Sequence, residues 1–486
     1  MRRPFFIALL FSALALAATA QEDSLDWGGS IVTIEVNRLQ YNFYQPWSSF
    51  TGGTRKLGVV ISGDEILSTA DWLQDNTLVR VQKGGRGPWW NAKIRWIDYH
   101  ANLAMLSVAD AAFWKGLKPA PLADKAPAKG ELRIWRLSDG NLQSWKGTIS
   151  KLFVQKGQRS FVKYLTLDIN SDISAAGWAE VAVKNGKMVG LVSSQDGNRL
   201  MAIPSSFIRF VLNAHKNNTY TGLGYFDFNW EYSRNPATME YLGLEGEPRG
   251  VIVTSVPETS VLAKTLKPRD VILQIDGFAI DSSGDYQDPD YGYLSFYNLA
   301  TRNKVAGDQI KLKVWRDKKT ADLSFKLPKA DYNVQLVPDC NFDEPPEYVI
   351  VGGFVLQPLT TSYLQSWGSK WWESGPFRLN YYTFKQPTHD QPYIIFLSQV
   401  LPDAYNLGYQ DYAYQVVEKI NGRHCITLQD VLEALKNPQN GFHILEFAQN
   451  KDVQRLILDA SKLEAANARI LERYGIPKDH VIHSDR

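Results

Sequence analysis

The sequence predicts a mainly β chain, with an all-β barrel or sandwich in its first part and two smaller α+β units after it. Three observations carry this. Residues 30–201 contain short apolar-rich segments, SIVTIEV, LGVVI, EILSTA, TLVRVQ, NAKIRWI, LAMLSV and ELRIWRL, and few stretches of helical period. The pairs Gly52-Gly53, Gly63-Asp64, Gly84-Gly85, Asp139-Gly140, Asn185-Gly186 and Asp196-Gly197 separate them, as turns between short strands require. Residues 249–280, RGVIVTSVPETSVLAKTLKPRDVILQIDGFAI, read as a strand, a short helix, a Lys-Pro turn, a strand and an Asp276-Gly277 hairpin, and residues 393–435 repeat that unit more weakly.

At 486 residues the chain has room for about two to four domains, each with its own core. A formal net charge of +2 leaves no basic or acidic excess, so nucleic acid is not an expected partner. Arg2 and Arg3 precede the apolar run 5–18, and Ala18-Thr19-Ala20 offers a small-x-small cleavage site. Residues 1–20 therefore read as a signal peptide with Gln21 as the mature start, and the chain is expected to be exported, to a periplasm or outside the cell. No later segment approaches the roughly 20 apolar residues of a membrane span. Cys340 and Cys425 exclude a disulfide framework and leave one bridge open. The histidines show no metal-ligand spacing, and no cofactor or metal is expected.

Beyond residue 201, Ser205 or Ser206 is expected to cap a short amphipathic helix with Phe207, Phe210 and Val211 on one side, and 215–219 to form a linker. In the second α+β unit Thr427 and Asp430 have capping-box spacing, and Leu428, Val431, Leu432 and Leu435 form the buried stripe. Ser461 and Glu464 predict another capping box, with Gly475 and Pro477 as the stop.

These segments carry a resemblance. EILSTADWL at 65–73, NLAMLSVADAAFWKGLKPAPLAD at 102–124, the unit at 249–280 and YVIVGGFVLQPLT at 348–360 stand in the order of the Deg/HtrA (protease Do-like) serine endopeptidases with two PDZ domains. The resemblance covers nearly the whole mature chain. It implies a trypsin-like double β-barrel over 21–215, a first PDZ domain over 220–330, and a second PDZ-like domain with a C-terminal helix over 331–486.

In that family the catalytic base stands in a motif like TNAHVV, matched by Ser68-Thr69-Ala70-Asp71-Trp72-Leu73, so Asp71 replaces the histidine. The orienting carboxylate opens a motif like DLAVL, matched by Asn102-Leu103-Ala104-Met105-Leu106, so Asn102 replaces the aspartate. The nucleophile stands in GNSGGP; counting back from Gly186 places it at Gly177, and counting forward from Asp168 gives Ala176. A serine protease needs a hydroxyl, an imidazole and a carboxylate, and these positions supply none of them in its place. Trp178 and Glu180 replace small residues of the loop and are expected to crowd or recharge the cleft. The expected function is an exported pseudoprotease that binds unfolded or extended segments or protein C-termini, or acts as a scaffold or regulator, in protein quality control. One alternative is an active endopeptidase with a relocated triad drawn from His100, Ser171 or Ser174, and Asp71. Another is a structural component of an oligomer.

A PDZ domain adds a peptide as a strand at a sheet edge and holds its carboxylate in a loop of backbone amides. In the first copy that loop falls at Tyr225-Phe226-Asp227-Phe228, where the Asp227 charge opposes a carboxylate. In the second, Gly352, Gly353, Phe354 and Val355 keep the small-small-aromatic form, as a peptide groove or as a structural turn. The resemblance also implies a homo-oligomer, a trimer or larger, assembled through aromatics such as Tyr41, Phe43, Tyr44 and Trp47.

Overall fold

A computed structural model describes residues 27–448 and 453–483; the expected signal peptide at 1–20 lies outside the described residues. The chain divides into two compact units. The first comprises Met1–Arg38, Gly53–Ser255 and Thr265–Ala330, the second Leu39–Gly52, Val256–Lys264 and Asp331–Arg486.

The first unit opens with β1 (Ile31–Tyr41), β2 (Ser49–Ser62), β3 (Glu65–Ser68), β4 (Asn76–Lys83), β5 (Trp90–Asn91), β6 (Lys93–Asp98) and β7 (Leu103–Ser107), in the sheet order β5-β4-β1-β2-β3-β7-β6. The two end strands, β5 and β6, are separated only by Ala92, so the sheet curls round a core that includes Val32, Ile34, Val36, Ile66, Val81 and Leu106. The alternation Val32, Ile34, Val36 along β1 is the period of a strand with one face inward.

A second lobe closes completely. Strands β8 (Gly130–Ser138), β9 (Asn141–Lys156), β10 (Lys163–Ser171), β11 (Val181–Lys184), β12 (Lys187–Asp196) and β13 (Arg199–Pro204) form a barrel in the order β10-β13-β12-β11-β8-β9. The long β9 gives little sequence signal because only three of its residues are buried, Gly147, Ile149 and Leu152.

The helix Ser205–Lys216 follows without the expected serine cap. Its N-cap is Pro204, which makes no side-chain bond, and Ser205 is already buried in the first turn. The expected linker is also ordered. His215 stacks on Trp96 at 3.9 Å and on Tyr220 at 4.2 Å, and Thr219 N–H donates to the Ala214 carbonyl at 2.9 Å.

The rest of the first unit is a sheet of β14 (Asn229–Tyr232), β15 (Val251–Ser255), β16 (Val271–Ile275), β20 (Gln309–Arg316) and β21 (Lys319–Lys326), in that order. β17 (Phe278–Ala279) pairs with β16, and β18 (Asp285–Asp288) with β19 (Gly292–Ser295) forms a separate hairpin.

The second unit holds β22 (Tyr348–Val351), β23 (Phe354–Pro358), β24 (Ile395–Val400), β25 (Gln415–Ile420), β27 (Phe442–Phe447), β28 (Arg455–Asp459) and β29 (His480–Val481), with β26 (Arg423–His424) on β25. The helix Leu428–Leu435 carries the expected capping box, with Thr427 and Asp430 bonded reciprocally. Ala434 joins Leu428 and Val431 on its fully buried face, while Leu432 and Leu435 pack at its margin. The box expected at Ser461 is absent: Asp459 caps a short 3-10 turn over Ala460–Lys462, and the helix Leu463–Tyr474 starts from Lys462. Its end is as expected, with Gly475 in the left-handed conformation at φ 63°. The aromatics expected at a subunit contact are partly engaged inside this unit. Trp47 packs edge-on to Tyr348 at 6.0 Å, and the Phe43 carbonyl accepts from Gln357 Nε2 at 3.1 Å.

Candidate functional site

The first β lobe brings Asp71 and Asn102 together. Asp71 ends the short segment after β3, and Asn102 precedes β7, which pairs with β3 through Ser68 and Ala104. The Asn102 amide donates to Asp71 Oδ2 at 2.6 Å, and Asp71 N–H donates back to Asn102 Oδ1 at 2.9 Å. Burial raises the Asp71 carboxyl above the usual carboxylate range, against the opposing charges of Lys56 and Arg159.

Gly177 is reached through a third residue. With its amide oriented to donate, Gln158 Nε2 lies 3.0 Å from both Asp71 Oδ2 and the Ser193 carbonyl. A Cβ on Gly177 would stand 3.5 Å from that carbonyl and 3.1 Å from Ser194 Cα. The neighbours Trp72 and Trp178 meet at 5.4 Å between ring centroids. At the alternative position, Ala176, the N–H donates to Gln195 Oε1 at 2.6 Å.

The loop around Gly177 is turned inward by Glu180. This residue is fully buried, and its Oε2 accepts the N–H groups of Gly177 and Trp178, both at 2.9 Å. Its Oε1 takes Arg136 at 3.0 and 2.8 Å, and Arg136 also binds the Ser174 and Ala175 carbonyls. Adjacent amides in a turn form a ready anion site; here the chain fills it with its own carboxylate. Gly177 at φ 107° and Ala175 and Ala179 at 50° and 68° give the loop its shape.

Lys56, at the buried end of β2, was not legible as a site residue. Its Nζ donates to the Thr69 carbonyl at 2.7 Å and the Asp71 carbonyl at 2.5 Å, with Thr69 Oγ1 at 2.6 Å. Burial draws its amine down to about 7 despite the charges of Asp71 and Glu180. A pocket of about 200 Å3 opens beside it, lined in part by Arg55, Arg136, Ala175, Trp178 and Glu180. The one sequence signal was a lysine directly abutting the apolar run Leu57–Ile61, too common a pattern to single out.

The residues of the relocated triad do not assemble. His100 Nδ1 bonds Ser160 Oγ at 2.8 Å, and Ser160 is 1% exposed. The Ser171 hydroxyl donates to the Lys146 carbonyl instead.

Of the two readings of the second unit's glycine loop, the local bonding favours the structural turn. Gly352 and Gly353, at φ 58° and 89°, form a tight hairpin turn between β22 and β23. Gly352 N–H donates to Asn467 Oδ1 at 2.6 Å, its carbonyl accepts from Asn406 at 2.7 Å, and the Gly353 carbonyl accepts from Leu401 N–H at 2.7 Å. Phe354 and Val355 are 0% exposed, and β23 is paired on both sides, by β22 and β24. In the first unit β14 ends its sheet, so among the described strands it is the edge that follows the Tyr225–Phe228 segment. Phe226 and Phe228 are buried there.

A PDZ-domain family profile matches residues 337–483. The mitochondrial Do-like 11 protein of Arabidopsis thaliana is 26% identical over 454 residues, covering 92% of this chain and 74% of that one. Mitochondrial protease Do-like 4 of the same plant is 23% identical, covering 93% and 87%. A serine protease DegP homolog of Plasmodium falciparum is 23% identical, covering 87% and 60%. Among solved structures, the HtrA-type protease AlgW with a decapeptide matches at 17% identity and a TM-score of 0.47, over 62% of this chain and 95% of that one. The class is thus a mainly β chain with a closed six-stranded barrel and a C-terminal PDZ domain. Over nearly its whole length the chain is similar to protease Do-like proteins of the Deg/HtrA kind.

Proposed function

We propose that the chain is an exported pseudoprotease of this kind that binds unfolded or extended polypeptide and does not cut it. One observation carries the reading: an Asp71–Asn102 amide pair occupies the expected base and carboxylate positions, while Glu180 holds the amides beside Gly177. Acyl transfer needs a nucleophile, a proton acceptor and donors aimed at the developing oxyanion. Each of the three is replaced or occupied in this arrangement. Binding has a separate basis, the β14 edge and the aromatic cleft at Trp72 and Trp178. Export rests on Arg2, Arg3 and the apolar run 5–18, and the expected assembly is a homo-oligomer.

Purified mature chain is expected to leave casein intact while retaining reduced, unfolded casein-like polypeptide in a pull-down. The buried His100–Ser160 pair is the specific observation that favours an enzyme. Casein cleavage that disappears in both Ser160→Ala and His100→Ala would overturn the pseudoprotease reading.

A further inference from the structure

Four backbone elements of the first unit, one of them the segment that carries Trp72, meet at its indole. Arg38 stands at an irregularity in β1, where the register with β4 shifts between Asn37 and Arg38. Such bulges re-aim the side chain that follows them, and the Arg38 guanidinium comes to 4.7 Å from the Trp72 ring centroid. Arg159, in the turn between β9 and β10, lies 5.8 Å from the same centroid. Trp178 supplies the fourth element, from the loop that ends at Glu180.

The indole is held there at a cost. Trp72 has φ 68°, a conformation rare for a bulky residue and worth on the order of 1–3 kcal/mol of strain. The arginines also oppose each other. Arg159 acts on Arg38 more strongly than the carboxylate of Asp75 does, and with burial it draws Arg38 below its ordinary value. Facing the pair are Asp71, 3.6 Å from Arg159 and raised toward its neutral form, and Asp75; Lys56 and Glu180 act on one another and Lys56 on Asp71, and Glu180 pairs with Arg136. Crowded guanidinium groups are stabilised by an anion, and the indoles offer a flat apolar surface beside them.

We propose that Arg38, Arg159 and the Trp72–Trp178 pair form a receptor for carboxylate groups on extended polypeptide, so that this cleft selects acidic segments. The receptor rests on the polypeptide-binding reading and gives it a chemistry. A guanidinium gives paired N–H donors to a carboxylate, and the indole faces accept the flanking apolar or aromatic side chains. A basic segment meets two like charges instead.

Fluorescence anisotropy with the full mature chain tests this on three labelled decapeptides of equal length. One carries internal glutamates and an amidated end, one has those glutamates replaced by glutamine, and one has the glutamine sequence with a free carboxyl end. The glutamate peptide is expected to bind at least tenfold more tightly than the glutamine peptide, and the ratio should shrink as salt is raised. In Arg38→Gln/Arg159→Gln the ratio should fall to about one. A tenfold advantage found only for the free-end peptide would assign the same receptor to chain ends and overturn its selection of acidic segments. Equal affinities for all three, or a glutamate preference that survives both the salt and the double variant, overturns the receptor while leaving polypeptide binding intact. Failure of every peptide to bind overturns the binding reading itself. The salt series on the unaltered chain decides the matter even if the double variant does not fold.

Discussion

Lys56 is a charge set where water does not reach, and its three bonds go to Thr69 and to the Asp71 carbonyl. An unfolded chain keeps this proton up to the ordinary lysine value of 10.5, whereas the folded chain releases it at about 7. Between those values the unfolded state binds more protons, so this group makes stability rise with pH. Asp71 acts oppositely in the acid range: its raised carboxyl binds protons more tightly in the folded state, and its contribution falls as pH rises above the ordinary value of 3.8. Urea unfolding at pH about 7 and about 9.5 should show the unaltered chain gaining stability between the two relative to Lys56→Met. Parallel shifts in both proteins would remove Lys56 as the cause. The sequence revealed Asp71 and Asn102 because motif order fixes their positions, but the partners that define their chemistry come from far along the chain. Gln158 lies 87 residues from Asp71 (158 minus 71), a pairing no local pattern encodes.

Among the elements, period and turn chemistry made most strands legible, and exposure hid the others. The alternation in β1 announced itself, whereas β9 buries only Gly147, Ile149 and Leu152 and gave no such signal. The Gly352–Gly353 turn shows how an element can keep a motif's form while its surroundings change its use. Small residues there fit a peptide loop equally well in sequence, but β22 already pairs with the neighbouring strand. Gly353→Ala would place a Cβ 2.5 Å from the Leu401 carbonyl at φ 89°. It is expected to lower stability by on the order of 1–3 kcal/mol through backbone strain alone, measured by chemical denaturation. An unchanged midpoint would mean that the turn relaxes freely, contrary to its buried bonds.

At the scale of the molecule, the order of lobes and α+β modules was readable because each carries its own hydrophobic period. The interleaving of the units was not. Two short stretches, Leu39–Gly52 and Val256–Lys264, belong with the second unit although they lie within the first unit's span of sequence. Phe43 bonds Gln357, Trp47 packs on Tyr348, and Glu258 accepts the His389 N–H at 2.6 Å. A chain stopped after residue 330 therefore loses every one of these partners and bares Phe43 and Trp47. Size-exclusion chromatography should show it aggregating or self-associating where the full chain does not. A monodisperse fragment with an unchanged melting profile would show that these stretches do not depend on the second unit.

If the chain is the pseudoprotease proposed above, Glu180 makes its missing nucleophile hard to restore. Supplying His at 71, Asp at 102 and Ser at 177 would restore the missing functional groups and still leave the amides of Gly177 and Trp178 committed to an internal carboxylate. The new serine would also inherit φ 107° and a Cβ 3.1 Å from Ser194 Cα. Any path back to a cutting enzyme runs through the Glu180–Arg136 pair and a rebuilt loop before it reaches chemistry. Three substitutions can be selected one at a time; a loop that has to change hand at several residues together is a ratchet.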